Sequence, residues 1–206
     1  MNRELRLFQS LVAFIIALAG TGCQRGDDPG AAGRGDTGAA QRADTAGPAT
    51  ATTGDLSDAN IVFLLDEANM ADSASGAYAI GKATNAEVKA YAKLMMGEHH
   101  ALRMQGQQLA QRLNVRPAAP ADDPLKPAAQ AEMTALRSAP KGAQFDRTYI
   151  EQEIGIHKAV LDLVGKAHGA AQNPELKKLI EQARPVIERH LKRAEEIQKK
   201  LGGPTA

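Results

Sequence analysis

The chain is predicted to be all-α: an antiparallel four-helix bundle with a short extra helix in the connection between its second and third long helices. Three observations point there. Aromatic residues make up only 3% of the sequence and Trp is absent, which leaves little bulk for a large β-sandwich core. The second half is dominated by Ala, Leu, Lys, Glu and Gln, residues that lose little side-chain freedom in a helix. Apolar residues there also recur at alternating steps of four and three, the period of one helix face.

Each element has its own signals. Ser57 can cap a first helix from Asp58 to about Lys82. Thr84-Asn85-Ala86-Glu87 reads as a capping box, with Thr84 as the cap, and opens a second helix that runs to about Leu113. Pro117, Pro120, Pro124 and Pro127 make residues 116–127 a loop, because each proline lacks an amide donor. A short helix is expected from Ala128 to Ser138, and it breaks at Pro140 to Gly142. The third long helix runs from about Ala143 to His168. Asn173-Pro174 is a cap followed by proline at the first helical position, so the fourth helix starts there and ends near Leu201. Pro185 removes the amide that would bond the Glu181 carbonyl and should kink that helix. Helices of roughly 25 residues are nearly 40 Å long at about 1.5 Å per residue, and they need a packed apolar face to be stable. Short connections between them favour antiparallel neighbours.

The seams carry the chemistry. Helix two reads Val88, Ala92, Met95, His99, Leu102, Gly106, Leu109, Leu113. Helix three reads Ile150, Ile154, His157, Leu161, Val164, and helix four reads Ile180, Ala183, Ile187, His190, Ala194, Ile197. The seam of helix one, Ile61, Leu65, Ala68, Asp72, Ser75, Ala79, places Asp72 near its middle. Asp72, His99 and His157 each lie 14 residues from their expected helix starts, and His190 lies 16 from Pro174. Antiparallel helices bring their midpoints to one level, so these side chains are expected to converge. Imidazole and carboxylate are ligands for zinc, iron, copper or manganese. One divalent transition metal is therefore one reading of Asp72, His99, His157 and His190, with Glu153, one turn before His157, as a further ligand or as the acceptor that orients the ring. Ordinary histidine titration would weaken such a site as pH falls through about 6.5. The other reading is a hydrogen-bonded polar layer that sets helix register without metal, with Glu153 as a surface carboxylate. His100 points off the seam, and His168 sits at a helix end. Met70, Met95, Met96, Met104 and Met133 are read as core filling rather than as copper ligands.

Composition excludes some functions. The formal net charge is +1, and the basic residues of the last helix alternate with glutamates as on a solvated face, so nucleic acid is not an expected partner. No nucleophile motif, phosphate loop or CxxC pair occurs, and no catalytic residue is assigned.

Residues 1–23 have a basic start at Arg3 and Arg6, an apolar run from Leu11 to Ala19 too short to span a bilayer, and small residues before Cys23, the only cysteine. The segment resembles a bacterial lipoprotein signal. That resemblance implies lipidation at Cys23 and, with Gln24 after it, a lipid anchor on the periplasmic face of the outer membrane. Residues 24–56 hold almost no large apolar side chain and read as a disordered tether. The bundle takes residues 57–201, and 202–206 form a tail.

Met70-Ala71-Asp72, the run VKAYAKLMMGEH ending at His99, FDRTYIEQEIGIH ending at His157, and PVIERHLKRA around His190 together resemble the bacterial family called domain of unknown function 4142. The resemblance covers about Leu56 to Leu201 and implies an exported, ferritin-like bundle of unassigned activity. The Glu-x-x-His pairs of two-iron bundles are missing, since Met96, Ile154 and Ile187 stand three residues before the histidines. Two functions stay open: a tethered metal-binding bundle, or a metal-free structural or protein-interaction module of the cell envelope whose partner the sequence does not name.

Overall fold

The computed structural model describes residues 56–202. The signal segment with Cys23, the tether up to residue 55 and the tail residues 203–206 lie outside the described residues. Five helices make up the described part, with no strand in it: α1 (Asp58–Lys82), α2 (Ala86–Arg112), α3 (Leu125–Ser138), α4 (Ala143–Ala170) and α5 (Pro174–Lys200). None of them is long and apolar enough to cross a membrane.

Local chemistry starts each helix. Ser57 and Asn60 form a reciprocal capping box at α1, with Asn60 N donating to Ser57 Oγ at 3.2 Å and Ser57 N donating to Asn60 Oδ1 at 3.1 Å. At α5, Asn173 Oδ1 accepts from the amides of Glu175 and Leu176, and Pro174 follows as the first helical residue. The cap of α2 differs from the sequence expectation. Asn85, not Thr84, accepts from the amides of Glu87 and Val88. Thr84 is drawn away because its hydroxyl and amide both donate to the buried Asp146 of α4. Helix α3 begins three residues earlier than expected. Asp123 Oδ1 accepts from the amides of Leu125 and Lys126, and Pro127 falls in the first turn, where no intrahelical donor is needed. Helix α5 continues through Pro185 as one element.

Neighbouring long helices run antiparallel. Arg103 of α2 forks onto Asp66 of α1, while Ser73, further along α1, bonds the Met96 carbonyl, earlier in α2. Lys158 and His168 of α4 meet Glu195 and Glu181 of α5 in the same reversed order. Helix α3 packs on α1 and α4. The apolar interior forms two clusters. One holds Ile61, Leu64, Leu109, Val164, Leu176 and Ile180; the other holds Val88, Met95, Leu136, Phe145, Tyr149 and Ile197. Between them, on α1, α2, α4 and α5 alike, the chain changes from apolar to polar at Asp72, His99, His157 and His190.

Of the methionines read as core filling, Met95 is buried and Met133 packs against the core, but Met70, Met96 and Met104 are exposed. They lie off the seam of their helices, so packing does not account for them.

Helices α1 and α2 approach closely at Gly76, where an added Cβ would lie 2.8 Å from the Ala92 carbonyl oxygen and 3.0 Å from the Met96 nitrogen. Both obstacles are backbone and cannot swing aside. Gly76→Ala is therefore expected to destabilise the fold by about 1–2 kcal/mol despite alanine's better helix propensity. Gly81→Ala, where an added Cβ meets nothing within 4 Å, should stabilise it by up to about 1 kcal/mol. Chemical denaturation of the two variants checks the opposite signs.

Candidate metal centre

The three seam histidines meet in the polar layer. Ring centroids lie 5.1 Å apart for His99 and His190 and 5.5 Å apart for the other two pairs. Each ring is at most 3% exposed. One ligand atom from each of His99, His157 and His190 lies within 4.8 Å of the others.

Hydrogen bonds fix the tautomers. His157 Nδ1 is 2.8 Å from the Glu153 carbonyl, which only accepts, so Nδ1 carries the proton. His190 Nε2 donates to Glu98 Oε2 at 2.7 Å. Asn69 Nδ2 donates to the Leu65 carbonyl, which turns Asn69 Oδ1 toward His99 Nδ1 at 2.9 Å, so that nitrogen is also the donor. Each ring thus spends its N–H on an oxygen outside the cluster. His99 Nε2, His157 Nε2 and His190 Nδ1 remain as buried lone pairs with no partner. Anchoring one ring nitrogen so that the other presents its lone pair is how proteins prepare imidazole for a metal.

The carboxyl residues form a second group. Asp72, Glu153 and His157 also bring ligand atoms within 4.8 Å of one another, so the five sequence candidates fall into two sets that share His157. Glu153 is fully buried, which corrects the reading of it as a surface carboxylate. It accepts from Ser75 Oγ at 3.1 Å and lies 3.6 Å from His157 Nδ1. Asp72 Oδ2 is 3.5 Å from His99 Nδ1, while its Oδ1 has no partner. Asp72 and Glu153 thus stand behind the proton-bearing sides of two rings. His100 is exposed, and His168 pairs with Glu181 at 2.8 Å.

Three contributors are not singled out by the sequence. Asn69 and Glu98 orient rings from positions off the seam. Glu132 of α3 is 1% exposed with neither carboxyl oxygen hydrogen-bonded. A signal for it exists, since Leu125, Glu132 and Leu136 share one helix face, but the sequence presents α3 only as part of a connection.

Burial sets the charge state. It pushes the imidazolium pKa down to about 4 at His99 and His190 and about 3 at His157. It raises Asp72 to about 7 and Glu132 to about 8, and holds Glu153 well above the carboxylate range, with Asp72 and Glu132 adding repulsion. Proton competition for the imidazoles therefore belongs near pH 4, not near the 6.5 of an exposed histidine. The layer is close to uncharged near neutral pH, yet it holds three free lone pairs and carboxyls that can ionise to balance an entering cation.

Glu132 makes this testable in stability. Its folded pKa lies above the ordinary 4.5, so the folded state holds a proton that the unfolded chain has lost. The resulting stabilisation is complete below about pH 4.5 and disappears as pH rises through about 8. Glu132→Gln removes that titration. In chelator it should match wild type near pH 4.5 and be more stable by roughly 1–3 kcal/mol at about pH 8.5. Denaturant unfolding at both pH values measures this, and identical pH slopes would rule it out.

A family model described as a domain of unknown function (DUF4142) matches residues 41–197. No curated protein matches the chain. Among solved structures, the chain is similar to CopM in its Cu(II)-bound form, with a TM-score of 0.56 and 19% identity over 70% of this chain and 98% of that one. It is also similar to a DUF305 fragment from Deinococcus radiodurans, at 0.58 and 17% over 70% and 96%, and to a DUF305 protein from Streptomyces coelicolor, at 0.59 and 14% over 72% and 96%. At these identities the likeness establishes a shared helical fold.

Proposed function

The chain belongs to the DUF4142 family, and since that family's description assigns no activity, we propose from the site itself that the protein is a metal-binding bundle of the cell envelope. In this reading α1, α2, α4 and α5 form an antiparallel, ferritin-like four-helix bundle, with α3 as the extra helix. One divalent transition metal, zinc, iron, copper or manganese, is held by His99 Nε2, His157 Nε2 and His190 Nδ1. Asp72 and Glu153 position His99 and His157 and supply negative charge. The observation that carries the reading is the set of three buried nitrogens left without a partner while the opposite nitrogen of each ring is anchored. Buried polar atoms without partners cost about 1–3 kcal/mol each, and one cation would satisfy all three. That a protein of similar fold was seen with Cu(II) makes copper the first ion to test. No reaction is proposed.

The test is metal content and thermal stability of untagged protein before and after chelation and reloading. One equivalent of metal and a chelator-sensitive melting temperature are expected. Protein that takes up none of the four ions would leave the second reading, in which the layer fixes helix register and the bundle is a metal-free structural or interaction module. The polar layer's place between two apolar clusters favours that alternative.

We further propose export and lipidation at Cys23, which would tether the bundle to the outer membrane on its periplasmic side through residues 24–56, with no role in nucleic-acid binding. A palmitate analogue should label the wild-type chain, and Cys23→Ser should lose both the label and membrane association. Label retained by Cys23→Ser would rule the anchor out.

A further inference from the structure

On one side of the polar layer the helices enclose a cavity of about 510 Å³. That is the size of ordinary small-molecule sites, which run from about 300 to 1,000 Å³. Its walls are apolar, with Val62 and Ala68 from α1, Leu102 from α2, Val160 from α4 and Ile187 from α5. At its mouth Arg103 and Gln107 both bond to Asp66, so those charges are spent on each other, and Arg116 borders the cavity as an exposed residue. The inner end is different. Asp72 and His99 line it, both nearly fully buried, and Asp72 Oδ1 and His99 Nε2 have no hydrogen-bond partner.

We propose that this cavity is a binding site for an uncharged, largely apolar molecule carrying a hydroxyl, which pairs with the Asp72 carboxyl at the inner end. Apolar walls supply affinity in proportion to the area they cover. Arg103 at the mouth is paired with Asp66, and the other cation there, Arg116, is exposed to water that screens its charge, so the mouth offers little advantage to a charged head. A site with an unpaired polar atom discriminates in favour of ligands that pair with it. A hydroxyl both donates and accepts, so it satisfies the carboxyl and leaves the aromatic or aliphatic body against the walls. The inference goes beyond the metal reading and does not rest on it, because Asp72 Oδ1 has no partner in the metal-free chain.

Gly106 lines the cavity, and a Cβ added there meets nothing within 4 Å. A larger residue at that position can occupy the space without displacing backbone, and leucine also favours the helix. The probes are 2-naphthol and naphthalene, read by their own fluorescence, since the chain has no Trp. They are titrated into the full, chelator-treated chain. Saturable one-to-one binding is expected, with 2-naphthol at least tenfold tighter. Gly106→Leu should weaken both at least tenfold, and Ala183→Met, at another lining residue, serves the same purpose if Gly106→Leu does not retain helical circular dichroism. Asp72→Leu should bring the two affinities within about twofold by weakening naphthol alone. Non-saturable partitioning, or binding unchanged in folded cavity-filling variants, would overturn the site. Equal affinities in the wild type would overturn the hydroxyl recognition. Because the protein is metal-free throughout, none of these outcomes bears on whether it binds metal.

Discussion

His157→Ala is expected to abolish stoichiometric metal binding. His157 is the residue common to both candidate ligand groups, and its Nε2 has no other partner. Structural zinc sites with four ligands are worth about 10–16 kcal/mol, so one ligand accounts for roughly 3 kcal/mol, a hundredfold or more in affinity. At a metal concentration that is about a hundred times the wild-type dissociation constant, binding stabilises the fold by about 2.7 kcal/mol, or roughly 5–10 °C in melting temperature. The variant should lose that increment. Both proteins are compared with and without chelator, so any stability change from the missing ring cancels in the difference. His100→Ala, at an exposed position on the same helix as His99, should keep both the metal and the increment. An increment retained by His157→Ala would remove the three-histidine centre. An increment absent from both wild type and variant would favour the metal-free polar layer.

The depth of each histidine is legible in the sequence because helix rise is regular and the start signals are local. Ser57 and Asn173-Pro174 mark the starts of α1 and α5, and α2 and α4 begin at Ala86 and Ala143, within a residue of their expected starts. Counting from those starts places Asp72, His99, His157 and His190 between the two apolar clusters. What is not legible depends on contacts between helices. Thr84 has the right spacing for a cap, but Asp146, 62 residues away, competes for its hydroxyl. Glu98 follows no periodic rule, being the neighbour of a seam histidine, yet it reaches His190 across the α2–α5 interface. Glu153 reads as a surface group because its place on the helix circumference borders the seam; α1 covers it through Ser75. The cavity has no sequence signature, since it depends on small residues such as Ala68 and Gly106 lining it from different helices. Exposed Met70, Met96 and Met104 follow from none of these arguments.

Asp146→Ala is expected to cost roughly 3–5 kcal/mol of stability while leaving metal binding intact. Asp146 lies in the first turn of α4 at 1% exposure. It accepts three hydrogen bonds from the α1–α2 turn: Thr84 N at 2.9 Å, Thr84 Oγ1 at 2.6 Å and Asn85 N at 2.9 Å. Truncating the side chain removes both carboxyl oxygens, and the variant would leave two backbone amides of a part-buried turn without those acceptors. Losing each such partner costs about 1–3 kcal/mol. Asp146→Asn, which keeps one acceptor oxygen, should recover part of the loss, and Asp162→Ala, at an exposed position of the same helix, should be near neutral. Residue 146 is 11 positions from His157, about 16 Å along the helix at about 1.5 Å per residue, so the histidine cluster should be undisturbed once the protein is folded. Denaturant unfolding in chelator measures the loss, and metal content after reloading below the melting temperature measures the site. The expected pattern, destabilised but metal-loaded, is the reverse of that for His157→Ala. A wild-type unfolding midpoint for Asp146→Ala would show that the turn does not depend on these bonds.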